Sequence, residues 1–170
     1  MTVIAACQLA LAIGDLAGNA RAAESAVHDA AARGAQFVVL PELSDTGYVF
    51  AGPAEVRALA APAADSPTLR RWRCLADELG IVIACGFCEL GADDRLYNSA
   101  ALVDWSGTKA LYRKAHLWDT EKLIFTPGDA PPPVTDLGFG RIGLMICYDL
   151  EFPEWVRLAA SIVPTSSPHP

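Results

Sequence analysis

Four consecutive apolar residues, Phe37-Val38-Val39-Leu40, are closed at once by Pro41. The run is too short for a helix. Without polar alternation it needs apolar cover on both faces, which a strand inside a layered α/β domain receives. Proline has no N–H to give, so the ladder stops there, and Glu42 follows directly. The flanks fit the same layering. Residues 3–8 read as a strand, and a helix is predicted over residues 19–33, with Asn19 as its N-cap and Gly34 just past its C-terminus. An Ala/Pro-rich segment then leads to a second helix predicted over residues 67–79, opened by Pro67 and closed by Gly80.

Residues 81–89, 96–104 and 109–114 read as strands, joined by turns at Gly91-Ala92-Asp93-Asp94 and Ser106-Gly107. A long loop over residues 115–133 carries Trp118, Asp119, Glu121, Phe125 and Pro127-Gly128, and a loop of that length in a compact domain is functional or mobile. A last hairpin centred on Gly138 and Gly140 leads through Ile142-Gly143-Leu144-Met145-Ile146, read as a buried strand, to Cys147, and a helix opens at Pro153. The expected fold class is α/β, with helices covering a mixed sheet and no repeat or interdomain linker.

Composition sets outer bounds. With 170 residues, 52% of them hydrophobic, the chain suits one domain with a real core. A net charge of -7, with no local Lys/Arg cluster, argues against nucleic acid and against a membrane surface as partners. Residues 1–12 have no positive flank before their apolar stretch and Asp15 interrupts soon after, so neither a signal peptide nor a membrane span is expected, and a cytoplasmic location is. Cys7, Cys85, Cys88 and Cys147, four of five cysteines, fall in strand-like apolar runs and read as reduced thiols. Cys85 and Cys88 have C-x-x-C spacing, but three apart on one strand they point to opposite faces, and no second Cys/His pair completes a metal ligand set.

Three strand ends carry chemically useful groups. At Cys147 a rigid apolar run passes abruptly into polar chain, a position in which a sulfur can face a cleft. Glu42 and Lys114 occupy two further ends, and His116 lies two residues past Lys114, on the same side if the strand continues. Singly, each has an ordinary explanation: a buried structural thiol, a solubilising carboxylate, a solvated lysine. Jointly they are complementary, because strand ends in layered α/β folds converge on one rim. A thiol needs a base to become a nucleophile, a carboxylate can serve, and a lysine can stabilise the oxyanion formed on a carbonyl or nitrile carbon.

Val38-Val39-Leu40-Pro41-Glu42-Leu43, Tyr112-Arg113-Lys114-Ala115-His116-Leu117 and Gly143-Leu144-Met145-Ile146-Cys147-Tyr148-Asp149 with Phe152-Pro153-Glu154 resemble, in order and spacing, the nitrilase or carbon-nitrogen hydrolase superfamily over about residues 2–160. The resemblance implies a nitrilase-like α-β-β-α sandwich and a Glu-Lys-Cys triad. Glu42 would be the general base, Lys114 the transition-state stabiliser and Cys147 the nucleophile. Glu121 resembles a second glutamate that orients substrate, and the backbone N–H of Tyr148 would join Lys114 in holding the oxyanion. The implied reaction passes through a thioester acyl-enzyme and needs no metal or organic cofactor. The implied partner is a small-molecule amide or nitrile; members of the family also tend to homo-oligomerise. Tyr148-Asp149 stands where true nitrilases more often carry Trp-Glu, which tilts the expectation toward an amide or carbamoyl substrate. Glu151 replaces an arginine common in amidase branches and alters the local charge.

The resemblance stops after Arg157-Leu158-Ala159-Ala160, and the last ten residues hold three prolines and three serines. The expectation is an incomplete hydrolase domain over residues 1–160 followed by a disordered tail over residues 161–170, in a C-terminally truncated chain lacking the second half of the sandwich and weakly active or inactive alone. Two other readings stay open: a noncatalytic remnant acting as an interaction module through its uncovered sheet, and a thiol redox protein using Cys85 and Cys88.

Overall fold

The structure, a computed structural model, describes residues 1–162. The tail expected from the sequence lies, beyond Ile162, outside the described residues. Strands β1 (Ile4–Ala6), β2 (Phe37–Val39), β3 (Val82–Leu90), β4 (Leu96–Asp104) and β5 (Gly107–Arg113) form one sheet in chain order. The first three are parallel and the last three antiparallel. Parallel neighbours need crossovers, and helices supply them: α1 (Leu16–Ala32) between β1 and β2, then α2 (Pro53–Leu59) and α3 (Pro67–Leu79) between β2 and β3. The antiparallel half needs only the two short turns seen in the sequence.

Strand periodicity sorts the core into two faces. Val38, Ile83, Cys85, Phe87, Ala101 and Val103 point to one side and pack on Ala23, Val27 and Ala30 of α1 and on Leu69, Trp72, Leu75 and Ala76 of α3. Phe37, Val82, Ala84, Ala100, Leu102 and Tyr112 point to the other. There they meet Leu144, Ile146 and the hairpin of β6 (Val134–Asp136) and β7 (Arg141–Gly143), so Phe37-Val38-Val39-Leu40 has the two-sided cover its composition demands. Trp72, 1% exposed, is the largest of these buried side chains, and burial on this scale is worth roughly 1.5–3 kcal/mol per large residue.

Helix α3 has its predicted bounds: the Ser66 hydroxyl accepts from Leu69 N, and Gly80 closes it at φ +64°. Helix α1 starts earlier than expected. Its N-cap is Asp15, whose carboxylate accepts from Gly18 N at 2.8 Å, while Asn19 lies inside the helix and is buried. Asn19 instead pins two loops: its amide donates to Ala12 O and Asp45 O and accepts from Ala12 N. A side chain with donors and an acceptor can satisfy several loop carbonyls and amides at once, a use that competes with capping. Helix α2 arises within the Ala/Pro-rich segment, with Pro53 in its first turn and Val56 buried.

The strand expected to run to Ile146 ends at Gly143. Continuing the β6–β7 register would place Pro133, Pro132 and Pro131 opposite Leu144, Met145 and Ile146. Prolines donate nothing to a ladder, and only Leu144 N finds a partner there, Pro133 O. Apolar burial, not pairing, fixes this segment. Helix α4 (Pro153–Ser161) follows. Among the described residues no helix is long and apolar enough to cross a membrane.

Candidate active site

Glu42 leaves β2 through a tight approach to β3. Gly86 N donates to Pro41 O and Gly86 O accepts from Ser44 N and the Ser44 hydroxyl, so the glutamate backbone is laced to the neighbouring strand. Only glycine fits at position 86: a Cβ there would come 2.5 Å from Leu43 N and 2.8 Å from Glu42 Cα. Lys114, one residue beyond β5, is tied by its backbone N–H to Asn98 O. Gly128 N in turn donates to Lys114 O, and a Cβ on Gly128 would collide with Arg113 O, so the long loop is stitched onto the lysine segment.

The lysine is fully buried, not the solvated strand end its position alone allows. Its Nζ donates to Glu42 Oε1 at 2.7 Å and Glu121 Oε2 at 2.8 Å. Glu121 sits in a single helical turn, Asp119–Leu123, within the long loop, and also accepts from Trp118 N. Burial disfavours the charge on Lys114, but the hydrogen bonds and charges of Glu121 and Glu42 outweigh it and its pKa is raised. The cation is therefore fixed.

Cys147 is exposed and has φ +47°. Leu43 and Asp119 also have positive φ, so three of the four non-glycine residues with this backbone among those described are Cys147 itself or lie within two residues of Glu42 or Glu121. Strain of this kind persists only where the surroundings over-determine it. Cys147 and Glu42 line one cavity of about 300 Å³, with Leu40, Ala84, Ala100 and Ile146 in its wall. The thiol pKa is raised, first by burial and then by the Glu42 carboxylate; Lys114 and the Tyr148 backbone N–H pull it down. Such a thiol stays protonated near neutral pH and needs a base, and the Glu42 carboxylate is the hydrogen-bonding partner beside it.

The structure thus brings Glu42, Lys114 and Glu121 into direct contact and sets Cys147 and the Tyr148 amide beside them. His116 departs from the expected arrangement. Strand β5 ends at Arg113, and His116 pairs with Asp149 and not with Glu42 or Glu121, its Nδ1 2.7 Å from Asp149 Oδ1 and its ring stacked on Phe152 at 3.8 Å. Cys85 and Cys88 are free thiols in separate apolar clusters. Two site residues escaped the sequence reading. Asn98 Nδ2 bridges the carboxylates, 2.6 Å from Glu42 Oε1 and 2.7 Å from Glu121 Oε1. The Tyr48 ring lies 5.8 Å from Lys114 Nζ, and its hydroxyl pKa is raised by burial and by the charges of Glu121 and Glu42. The signal for Asn98 is an amide in β4, a strand buried along its length, where it stands opposite Cys88 in register.

The sequence pattern of the family described as carbon-nitrogen hydrolase matches residues 3–162. A nitrilase from Pyrococcus abyssi is 43% identical over 142 residues, covering 84% of this chain and 54% of that protein. An N-carbamoylputrescine amidase from Arabidopsis thaliana is 40% identical over 150 residues, with 84% and 50% covered. The chain spans about half the length of these curated relatives. Among solved structures, an amidase from Nesterenkonia sp. superposes with a TM-score of 0.83 at 32% identity, over 94% of this chain and 60% of that one. Another structure of a Nesterenkonia amidase, a mutant, shows the result of Michael addition of acrylamide at its active-site cysteine. The α/β fold is therefore that of the nitrilase-like sandwich amidases, and the chain belongs to the carbon-nitrogen hydrolase family.

Proposed function

We propose that this chain carries the nucleophilic machinery of a hydrolase that cleaves the C–N bond of a small non-peptide amide or carbamoyl compound. The observation that carries the reading is a buried lysine held between two carboxylates, one of which shares a cavity with an exposed thiol. A lysine fixed in this way is a preorganised positive charge, which is what a developing oxyanion needs.

In this reading Cys147 Sγ attacks the carbonyl carbon while its proton passes to Glu42. Lys114 and the Tyr148 backbone N–H hold the oxyanion, and Glu121 orients the substrate and anchors Lys114. Collapse of the adduct breaks the C–N bond, and Glu42 delivers its proton to the departing ammonia or amine. Water then gives a proton to Glu42 and attacks the thioester carbon, the C–S bond breaks, and the proton returns to sulfur. A reducing, cytoplasmic setting would keep the five cysteines as the free thiols seen here.

A nitrile substrate is the second reading, favoured by the Pyrococcus abyssi relative described as a nitrilase. Tyr148-Asp149 after the nucleophile favours the amide. The test is ammonia release from butyramide and N-carbamoylputrescine against butyronitrile, with acylation of Cys147 followed by intact mass. Amide turnover or an acyl adduct that vanishes in Cys147→Ala and falls sharply in Glu42→Gln supports the proposal. Turnover undiminished in Cys147→Ala sinks it, and release from the nitrile alone selects the second reading.

A further inference from the structure

Asp149 is fully buried two residues past the nucleophile, yet it touches none of the Glu42, Lys114 and Glu121 cluster. Its carboxylate accepts three hydrogen bonds and meets a ring nitrogen as a fourth contact. Oδ1 takes the His116 backbone N–H at 2.9 Å and faces His116 Nδ1 at 2.7 Å; Oδ2 takes the Tyr112 hydroxyl at 2.7 Å and the Ile146 backbone N–H at 3.1 Å. Tyr112 and His116 are the residues two before and two after Lys114, and Ile146 immediately precedes Cys147. One side chain therefore grips the chain on both sides of the lysine and ties it to the turn that presents the thiol.

The clamp is supported from behind. The Tyr112 hydroxyl accepts from Trp155 Nε1 at 2.9 Å, and His116 is held against Phe152 and Trp155. Asp149 N donates to Ile146 O, closing the turn in which Cys147 has its left-handed backbone. A cysteine has no intrinsic preference for that conformation, so something outside it must hold it. A buried carboxylate is a costly choice for a mere packing residue, and charge-assisted hydrogen bonds are the strong, directional kind.

Resting on the triad reading above, we propose that Asp149 is a positioning residue: it sets the distance and angle between the Lys114 segment and Cys147 Sγ through Tyr112, His116 and Ile146. It does not touch the reacting atoms. Its removal displaces the thiol relative to the cation and base without emptying the site, and a misplacement near 1 Å costs on the order of 100-fold in rate.

Acrylamide addition tests this in the full chain. The Cys147 S–C bond forms at the β-carbon, the C=C π bond breaks, and the thiol proton ends on the α-carbon, so nothing leaves and no further reactant is needed. Cys74, exposed on α3, is an internal standard in the same molecule. The ratio of Cys147 to Cys74 labelling is read by peptide mass spectrometry for the parent, Asp149→Asn and Tyr112→Phe. The expected result is a ratio lowered about 100-fold in Asp149→Asn and about tenfold in Tyr112→Phe, with Cys74 labelling unchanged. A purely structural role would leave the ratio intact in any folded variant. If Asp149→Asn does not fold, Tyr112→Phe decides alone, since it removes one hydroxyl and keeps the ring. Ratios within twofold of the parent in the folded variants overturn the inference. A parent in which Cys147 labels no faster than Cys74 overturns the triad reading itself, and the two failures are thereby distinguished.

Discussion

Gly86 lies so close against Glu42 that a single added carbon would sit 2.8 Å from the glutamate Cα. The placement of the proposed base thus depends on a residue that carries no functional group. Gly86→Ala must push the Glu42 backbone away from β3 or bend the strand. Amide turnover, or Cys147 acylation, is expected to fall more than about 100-fold. Stability should drop by about 1–3 kcal/mol. Urea denaturation with parallel activity assays checks both, and full activity in a folded variant would show that the contact is slack.

Lys114 is a buried cation between two carboxylates, so removing it leaves Glu42 and Glu121 facing each other without compensation. Lys114→Met is expected to cost about 3–5 kcal/mol in urea denaturation at pH 7. Glu42→Gln should cost less, because Lys114 keeps Glu121 and the Asn98 amide keeps a partner. Equal stabilities for parent and Lys114→Met would show that the lysine is not held as an ion pair.

The thiol of Cys147 is pushed up by burial and by Glu42, and pulled down by Lys114. Neutralising the carboxylate removes a like charge, so Glu42→Gln should lower the pH at which the Cys147 thiolate forms. Lys114→Met should raise it. Thiolate absorbance during a pH titration, with Cys147→Ala as the blank, gives both midpoints. Shifts in the opposite directions would refute the charge arrangement.

Asp45 lies in the loop after Glu42, where its carboxylate accepts from Cys88 N and the Thr68 hydroxyl. Burial raises its pKa to about 6. Because the folded state holds this proton more tightly than the unfolded chain, stability is lost as pH rises from about 4 to about 6. The loss stays constant above that. Asp45→Asn removes the titration. Relative to the parent it should gain about 2–3 kcal/mol between pH 4 and pH 7, measured by urea denaturation at both. A difference that does not change with pH would refute it.

Much of this was legible in the chain because it is local. Phe37-Val38-Val39-Leu40 with Pro41 marks a covered strand that must end, Pro67 and Gly80 bracket α3 within their own turns, and the motifs around Glu42, Lys114 and Cys147 have specific neighbours. The failures are equally specific. Asn19 has the chemistry of a cap, but the loop at Ala12 and the loop at Asp45, 26 residues on, claim its amide. The strand before Cys147 stops short of Ile146 because Pro131, Pro132 and Pro133 would face its last residues and donate nothing, a pairing that only the hairpin register reveals.

The sequence by itself determined the layered α/β order, the strand ends before Glu42 and Lys114 and the chemical identities of a thiol, two carboxylates and a lysine, since these follow from periodicity, chain punctuation and side-chain type. Only the tertiary structure decided that Lys114 is buried between Glu42 and Glu121, that Asn98 bridges them, and that Asp149 fastens the two segments together. Most of those contacts join residues more than 20 apart in the chain, and their energy depends on desolvation, which no local pattern encodes.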